Sequence, residues 1–428
     1  MTPLIIIFCF LFYFLTSKKQ KLSIYLIAAL LPSYLIRFTV FNIPFTVLEI
    51  MILISFLVFL IKFKLSWWKN FKTNTFFGPL MAISIFSSIS IFTSPNFLSA
   101  AGIWKAYFLE PILFYIIFIN IIKTKSDLKN IFWALGISAL YLSIIAFWQY
   151  FSGWNVPLAF LKADGSVDRV VSIFGYPNAL GLYLSPIIIL FTGFLWWSKD
   201  KKLFQVLKII IILLSFITII LAQSEAAILS VLGIWFLWGL INKKTRYYFF
   251  GLITIAILSF IFIPAIHNYL IEKILLQDYS GFIRRLIWSE SWHMLKDNWF
   301  WGAGLAGYQT KIAAYHLPTF EIFLYPHNFI LNFWSELGIL GLLSFIWLFI
   351  KFIVNNITSY WTNNHNLLNL TMLMIIIQLL IHGLVDAPYL KNDLSILFWL
   401  IIGIYTINKN INYDGMAELV EGPALARG

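Results

Sequence analysis

The sequence predicts an all-α polytopic membrane protein with about 13 transmembrane helices (12 to 14). Of its 428 residues, 61% are hydrophobic and only 11% are charged. Soluble globular domains carry about 25% charged residues, so the composition excludes that class. The 43 Phe, 20 Tyr and 18 Trp residues also exclude a disordered chain, because so many aromatic side chains cannot all stay solvated.

Thirteen apolar runs approach the ~20 residues that a membrane span needs. They are 2–16, 22–40, 45–61, 76–92, 101–122, 131–151, 178–197, 203–222, 226–241, 247–265, 329–350, 367–385 and 394–408. The first, ninth and last runs are short, which is why the number is given as a range. The first run lacks a basic flank before it and a small-residue cleavage site after it, so we interpret it as a span and not as a signal peptide.

Clusters of Lys and Arg follow every second run in the first part of the chain. They lie within residues 18–21, 62–72, 123–129, 199–202 and 243–246. Cytoplasmic loops of membrane proteins carry an excess of these residues. The pattern therefore predicts an N-terminus outside the cell and a C-terminus in the cytoplasm.

The one long connection, residues 266–328, is predicted to lie on the external side. It is rich in Trp, Tyr, Phe and Leu, which favours a folded segment over a disordered one. Within it, Phe282–Lys296 has helical spacing, and its tryptophans suit the headgroup level of the membrane. We expect an interfacial helix there, with a simple amphipathic anchor as the alternative interpretation.

The domain organisation predicted from these runs is simple. Residues 1–413 are expected to form a single transmembrane domain that includes the 266–328 segment. Residues 414–428 differ in composition and contain no aromatic residue, so a disordered tail or an artificial extension is expected there.

Ionisable side chains inside or beside apolar runs are candidate functional residues, because a charge in the membrane is costly. On the predicted external side these are Arg37, Glu49, Lys105, Glu110 and Glu225. Lys105 and Glu110 are five residues apart and so do not form an i,i+4 pair. For any single one of them, an interhelical salt bridge or hydrogen bond is the alternative interpretation.

Two motifs precede the eleventh run. The segment Gly302–Gly307 has the GxGxxG spacing of dinucleotide sites, but the strand and βαβ unit which that motif requires are missing. We expect a tight turn, which leaves close contact with an anion open.

The second motif is Tyr325-Pro326-His327-Asn328. Pro326 disfavours helix at Tyr325, so Asn328 is expected to cap the following helix. Histidine exchanges a proton near neutral pH, which makes His327 a candidate general base; capping and packing are the alternative.

The sequence contains no recognisable metal motif. His293 and His316 lack HExxH-type spacing, and the single cysteine, Cys9, cannot build a cysteine metal site. We therefore predict neither a metal ion nor another cofactor.

The chain resembles the O-antigen ligase/polymerase superfamily. The resemblance is carried by residues 173–183 (IFGYPNALGLY), 285–288 (RLIW), 301–305 (WGAGL), 327–328 (HN) and 336–338 (ELG), in that order, and by the layout of many spans with one long late loop. It covers about 80 residues, and the motifs are degenerate.

The resemblance implies metal-independent transfer of a glycan from undecaprenyl diphosphate to a glycan, lipid or polymer acceptor. The reaction would take place on the outer face of the bacterial inner membrane, without nucleic acid. By the same resemblance, Arg284 or Arg285 would bind the diphosphate and His327 would be the base. Arg37 and Lys105 are further candidates for diphosphate binding.

This sequence departs from the family at one position. Relatives commonly carry a Ser-Arg pair in the turn before the ninth span, where this chain has Ser224-Glu225. The substitution removes one expected phosphate ligand and makes Glu225 the second candidate base.

A transporter or flippase of a lipid-linked or amphipathic solute is the alternative function. Transporters often contain internal repeats and polar sites at the membrane midplane. We find no repeat, and the polar residues concentrate in the predicted outer loop, which favours the transferase. We expect that loop to cover a groove for the polyprenyl chain and to hold Arg284, Arg285 and His327 over one cavity. The sequence does not distinguish ligase from polymerase or identify the sugars.

Overall fold

The computed structural model describes residues 3–40, 43–64, 66–242, 244–318, 320–362 and 366–421. These residues are mostly helical. The helices are α1 (Pro3–Lys18), α2 (Gln20–Ala29), α3 (Val47–Phe63), α4 (Trp67–Lys72), α5 (Phe77–Thr93), α6 (Phe97–Trp104), α7 (Glu110–Ile121), α8 (Lys125–Ser152), α9 (Pro177–Trp197), α10 (Lys202–Leu221), α11 (Glu225–Ile241), α12 (Arg246–Phe262), α13 (Pro264–Ile274), α14 (Tyr279–Asp297), α15 (Tyr308–Ile312), α16 (Phe329–Thr362), α17 (Leu367–Gly383) and α18 (Asn392–Glu421).

Six helical segments among the described residues are long and apolar enough to cross a membrane: Phe97–Ile121, Lys125–Ser152, Pro177–Trp197, Lys202–Leu221, Phe329–Thr362 and Asn392–Ile411. A seventh is possible if α12 and α13, bent by 98° relative to each other, count as one span. Further apolar helices of 10–17 residues include α1, α5, α11 and α17. The polytopic helical class is confirmed, and the number of 13 spans stays a prediction.

The predicted span 22–40 is wrong as a single helix. α2 ends at Ala29, a 3₁₀ turn covers Leu31–Leu35, and two short strands follow, β1 (Arg37–Val40) and β2 (Ile43–Thr46), paired antiparallel. Pro32 lies in the 3₁₀ turn, where proline cannot continue an α-helix, and the aromatic and β-branched residues after it favour a strand. The all-α prediction therefore fails at this hairpin.

The centre of the bundle is built on α9 and α18. α9 packs against α8, α10, α11 and α17, while α18 packs against α7 and α17. Both helices are buried over most of their apolar length. The loop between α17 and α18 therefore leaves the bundle near its middle.

The segment predicted to be helical, Phe282–Lys296, lies within α14, and its position at a membrane surface stays a prediction. The predicted tail, 414–428, begins inside α18, and residues 422–428 lie outside the described residues.

The glycine-rich segment is a tight turn, as predicted. Gly302 and Gly304 have φ values of +67° and +79°, which side chains rarely adopt. The N–H groups of Ala303 and Ala306 donate to the carbonyl of Ser335 (2.6 Å) and to Oε2 of Glu336 (2.9 Å). These two N–H groups hold the turn against α16 and are not open to an anion.

Candidate functional site

His327 and Asp386 form a hydrogen-bonded pair between the loop before α16 and the loop after α17. Nδ1 of His327 lies 3.3 Å from Oδ1 of Asp386, whose side chain is almost completely buried. Burial alone would raise the pKa of Asp386, but the hydrogen bonds that it accepts from His327 and from the backbone N–H of Ala387 hold this pKa below its usual value. Asp386 therefore stays ionised and can orient the imidazole.

The orientation of the His327 ring decides which nitrogen is available. With Nδ1–H donated to Asp386, Nε2 carries the lone pair. Among the described residues, no hydrogen-bond partner of Nε2 is found. The ring is thus arranged to accept a proton at Nε2.

The backbone around His327 is held in an unusual conformation. His327 has a φ of +48°, which costs free energy in a residue other than glycine. The next residue, Asn328, caps α16 as predicted, since its Oδ1 accepts the N–H groups of Ile330 (3.0 Å) and Leu331 (3.1 Å). Its Nδ2 donates to the carbonyl of Leu384 at 2.9 Å, which ties this loop to the α17–α18 loop.

α14 brings Arg284 to the same two loops. Nε of Arg284 donates to the carbonyl oxygen of Val385 (3.2 Å), next to Asp386, and one Nη donates to Oγ of Ser280 (2.8 Å). One turn further on, Nε1 of Trp288 donates to the carbonyl of Pro326 (2.9 Å), next to His327. Arg284 and His327 therefore contact neighbouring residues of the α17–α18 loop, Val385 and Asp386, and their joint place over one cavity stays a prediction.

Arg285 differs from Arg284 in its surroundings. It is exposed, and its guanidinium lies 5.9 Å from the centroid of the Phe282 ring. No described hydrogen bond ties it to His327 or to its neighbours. A joint role of Arg285 and His327 stays a prediction.

Glu225, the second candidate base, makes a salt bridge elsewhere. Its carboxylate lies 2.9 Å from Nζ of Lys273, which also contacts Asp278 at 3.1 Å. The lysine thus joins the start of α11 to the loop before α14. No described contact links Glu225 to His327, so its role as a base stays a prediction.

The turn before α11 receives an arginine from another part of the chain. Nε of Arg169 donates to the carbonyl of Ala222 (2.9 Å), and an Nη donates to the carbonyl of Gln223 (3.3 Å) and to Oδ1 of Asn178 (3.1 Å). The guanidinium of Arg169 therefore lies beside the turn in which this chain has Ser224-Glu225 instead of the Ser-Arg pair of its relatives. Residue spacing could not reveal this, because Arg169 lies 53 residues before Ala222.

Lys105 and Glu49 form the salt bridge that was the alternative interpretation. Nζ of Lys105 lies 2.7 Å from Glu49 and donates to the carbonyl of Pro44 in β2 (3.2 Å). Glu110 is buried, and neither of its carboxylate oxygens has a described hydrogen bond. Arg37 is exposed at the start of β1, near enough for its charge to act on Tyr107.

A cavity of about 230 Å³ lies beside the His327–Asp386 pair. Tyr325 separates the two: it lines the cavity, and its ring centroid lies 4.5 Å from that of His327. Burial and the charge of Asp386 raise the pKa of Tyr325, so its hydroxyl stays protonated. The lining also includes Asn332 and Glu336, both buried, and Oδ1 of Asn332 has no partner among the described residues.

His316 holds the loop after α15. Its Nδ1 lies 3.1 Å from Oε2 of Glu290 on α14, and its Nε2 lies 2.7 Å from the carbonyl of Phe320. Both partners are acceptors, and the hydrogen bond to Glu290 raises the pKa of His316. Within the described parts of the chain, no group of three or more His, Cys, Asp or Glu side chains could hold a metal ion.

The fold and the site define a multi-pass helical membrane protein with a histidine–carboxylate pair, His327 and Asp386. The helix α14, which carries Arg284, contacts the loop of this pair. The family model described as O-antigen ligase matches residues 209–346, which include Arg284, Arg285 and His327. The O-antigen ligase of Salmonella typhimurium is 24% identical to this chain over 298 residues, covering 65% of this chain and 69% of that protein. Both similarities agree with the resemblance to the O-antigen ligase/polymerase superfamily that the sequence motifs carry.

Proposed function

We propose that the protein transfers a glycan from undecaprenyl diphosphate to a hydroxyl group of an acceptor, as an O-antigen ligase or a polysaccharide polymerase. The observation that carries the proposal is the Asp386–His327 pair, with Arg284 hydrogen-bonded to the residue before Asp386. A base and a diphosphate-binding cation are the two groups that this reaction needs, and the candidates for them contact two adjacent residues, Asp386 and Val385.

In the proposed reaction, Nε2 of His327 takes the proton of the acceptor hydroxyl, and Asp386 stabilises the imidazolium that forms. The acceptor oxygen bonds to the anomeric carbon of the donor while the bond from that carbon to the phosphate oxygen breaks. The electron pair of that bond leaves with undecaprenyl diphosphate. Arg284, and Arg285 after a side-chain movement, would stabilise the charge that develops there.

The cavity beside Tyr325 is the proposed site for the acceptor sugar. Its tyrosines offer flat apolar faces, and Gln309, Asn332 and Glu336 offer polar atoms to hydroxyl groups. An acceptor seated there would approach His327 from the side of Tyr325. The lysine pattern of the sequence supports an active site on the external face of a bacterial inner membrane.

The test is release of undecaprenyl diphosphate by the purified protein from its glycan-loaded carrier, in the presence of acceptor. We expect release by the wild type and a loss of about 10²–10⁴-fold in the His327→Ala variant, the range that general base catalysis supplies. His293→Ala is the matched control, because this second histidine is exposed on α14 and the one described hydrogen bond of its Nδ1 is to the carbonyl of Ser289 within its own helix.

Full release by the His327→Ala protein would contradict the mechanism. Movement of the loaded carrier across liposomes without covalent product would instead favour the transporter.

A further inference from the structure

An open cleft of about 400 Å³ lies at the C-terminal end of α14. It is lined by residues 297–301, by Thr93 at the end of α5 and by Lys311 in α15, and none of these residues lines the cavity beside Tyr325. Trp288, whose indole contacts the carbonyl next to His327, precedes this cleft on α14. At 1.5 Å per residue, the helix runs roughly 14 Å from Trp288 to residue 297, which is longer than one sugar ring.

Two tryptophan rings are exposed in this cleft. Trp299 is 57% exposed and Trp301 is 47% exposed, and no described hydrogen bond uses the indole N–H of either. The ring of Phe300 packs edge-on against both, with centroid distances of 5.3 Å to Trp299 and 4.6 Å to Trp301. An indole offers a flat apolar face together with a polar N–H. A sugar ring matches both features, since its C–H bonds pack on an aromatic face and its hydroxyls accept hydrogen bonds.

The backbone that carries these rings is tied to α16. Nε1 of Trp334 donates to the carbonyl of Trp299 at 2.6 Å, and the N–H of Ile339 donates to the carbonyl of Phe300 at 3.1 Å. The exposed rings therefore stand on a segment that is already ordered. A ligand that binds to an ordered segment loses less free energy to the ordering of the protein.

The polar groups of the cleft carry both signs of charge. Oδ2 of Asp297 accepts the hydroxyl of Tyr315 at 2.7 Å, while Nζ of Lys311 donates to the carbonyl of Gly302 at 2.9 Å and lies 3.4 Å from Oδ1 of Asn298. One carboxylate and one ammonium group together favour neither an anion nor a cation, and both form hydrogen bonds with hydroxyl groups. Charged side chains are costly against lipid tails, which disfavours lipid as the occupant.

We propose that this cleft binds a sugar chain, with its rings stacked on Trp299 and Trp301 and its hydroxyls hydrogen-bonded to Asp297 and Asn298. The choice of chain rests on the proposed function: it is a part of the transferred or extended glycan beyond the sugar that reacts at His327. A second contact at this distance from the proposed base favours a glycan of several sugars over a single one.

The test measures binding without turnover. The probe is the oligosaccharide freed from the glycan-loaded carrier by mild acid hydrolysis, and isothermal titration calorimetry measures its binding to the full-length protein in detergent. We expect the wild type to bind it, and Trp299→Ala and Trp301→Ala each to weaken binding about tenfold, a usual loss when an aromatic anchor is truncated. Trp299→Phe keeps a flat ring and should retain most of the binding.

Trp154→Ala is the matched control, because Trp154 is 55% exposed in the loop after α8 and does not line the cleft. It should bind the oligosaccharide like the wild type, and the thermal unfolding midpoint shows whether each variant is folded. No binding by the wild type, or equal binding by the wild type and by both alanine variants of the cleft, would overturn the proposal. So would binding in detergent that is lost in dioleoylphosphatidylglycerol nanodiscs, because lipid would then cover the rings.

The same proteins separate this proposal from the proposed function. Release of undecaprenyl diphosphate by a protein whose oligosaccharide binding is unchanged in Trp299→Ala and Trp301→Ala would leave the transfer reaction standing and remove the cleft. Binding that depends on both tryptophans, in a protein that releases no undecaprenyl diphosphate, would keep the sugar site and contradict the transfer reaction.

Discussion

Nε of Arg284 and the carbonyl oxygen of Val385 lie 3.2 Å apart, although 101 residues separate them in the chain. This hydrogen bond joins α14 to the residue that precedes Asp386. A movement of α14 that broke it would therefore also act on the partner of His327. The cation proposed to bind the leaving group and the carboxylate that orients the proposed base are thus mechanically linked.

The first prediction concerns Asp386. Asp386→Asn should lower the turnover rate by about 10²–10⁴-fold, because the amide can no longer stabilise a protonated His327 or fix its Nδ1–H tautomer. Since the pKa of Asp386 is held low, its contribution is present above the usual carboxyl pKa and is lost as the pH falls through the lowered value. Steady-state kinetics of the wild type and of Asp386→Asn from pH 4 upward measure both the turnover rate and its pH dependence. The exposed Glu321→Gln, in the same segment as His327, should leave the rate unchanged.

The second prediction separates the two neighbouring arginines. Arg284→Gln should raise KM for the lipid-linked donor by about 10- to 100-fold, since a hydrogen bond to a charged group contributes about 1.5–3 kcal/mol. Arg285→Gln should have a smaller effect, because Arg285 makes no described contact with the site. A larger effect at Arg285 than at Arg284 would mean that α14 rotates when substrate binds.

The third prediction tests the acceptor cavity. Asn332→Leu should raise KM for the acceptor and leave KM for the donor unchanged, because Asn332 lines the cavity next to Tyr325. Asn356→Leu is the matched control. Asn356 is also buried on α16, and its Oδ1 also has no described hydrogen-bond partner, but it does not line the cavity. If both variants changed KM for the acceptor equally, the cavity would not be its binding site.

The fourth prediction concerns the glycine-rich turn. Gly304→Ala should destabilise the protein by about 1–3 kcal/mol, the cost of a strained backbone conformation. Gly304 has a φ of +79°, and a Cβ atom there would lie 2.6 Å from the backbone nitrogen of Ser94. Gly102→Ala is the control, because Gly102 lies in α6 and a Cβ atom added there would meet no described neighbour within 4 Å. Thermal unfolding in detergent compares the two, and the Gly102 variant should be at least as stable as the wild type.

The fifth prediction is a pH dependence of stability. The pKa of His316 is raised in the folded protein, so its interaction with Glu290 is fully present below the unfolded pKa of ~6.5 and is lost as the pH rises through the folded value. The difference in unfolding midpoint between the wild type and His316→Ala should therefore shrink as the pH is raised above neutrality. Glu290→Gln should remove most of this dependence. A difference that grows with pH would contradict the assignment.

Local signals in the sequence predicted much of the helical structure. Apolar runs indicated helices such as α16 and α17, and proline and asparagine spacing correctly placed the Asn328 cap. Glycine spacing indicated the turn at Gly302–Gly307. In each case the determining interactions lie within a few residues along the chain.

The features of the fold and the site that the sequence did not predict depend on contacts between residues that are distant in the chain. Asp386 lies 59 residues after His327, and Arg169 reaches the turn before α11 from a separate loop. No residue spacing encodes either contact, because both arise from how α9, α11 and α17 pack. The β-hairpin was missed because its aromatic and β-branched residues are as apolar as those of a membrane span.

The bend of 98° between α12 and α13 determines where α14 can begin. None of the described residues of α12 is buried, so this helix lies at the periphery of the bundle. After Pro264 the chain runs almost perpendicular to α12 for the 11 residues of α13, a sideways distance of roughly 16 Å at 1.5 Å per residue. The change of direction falls at Pro264, the first residue of α13, and α14 follows it with Arg284 in contact with Val385 of the α17–α18 loop.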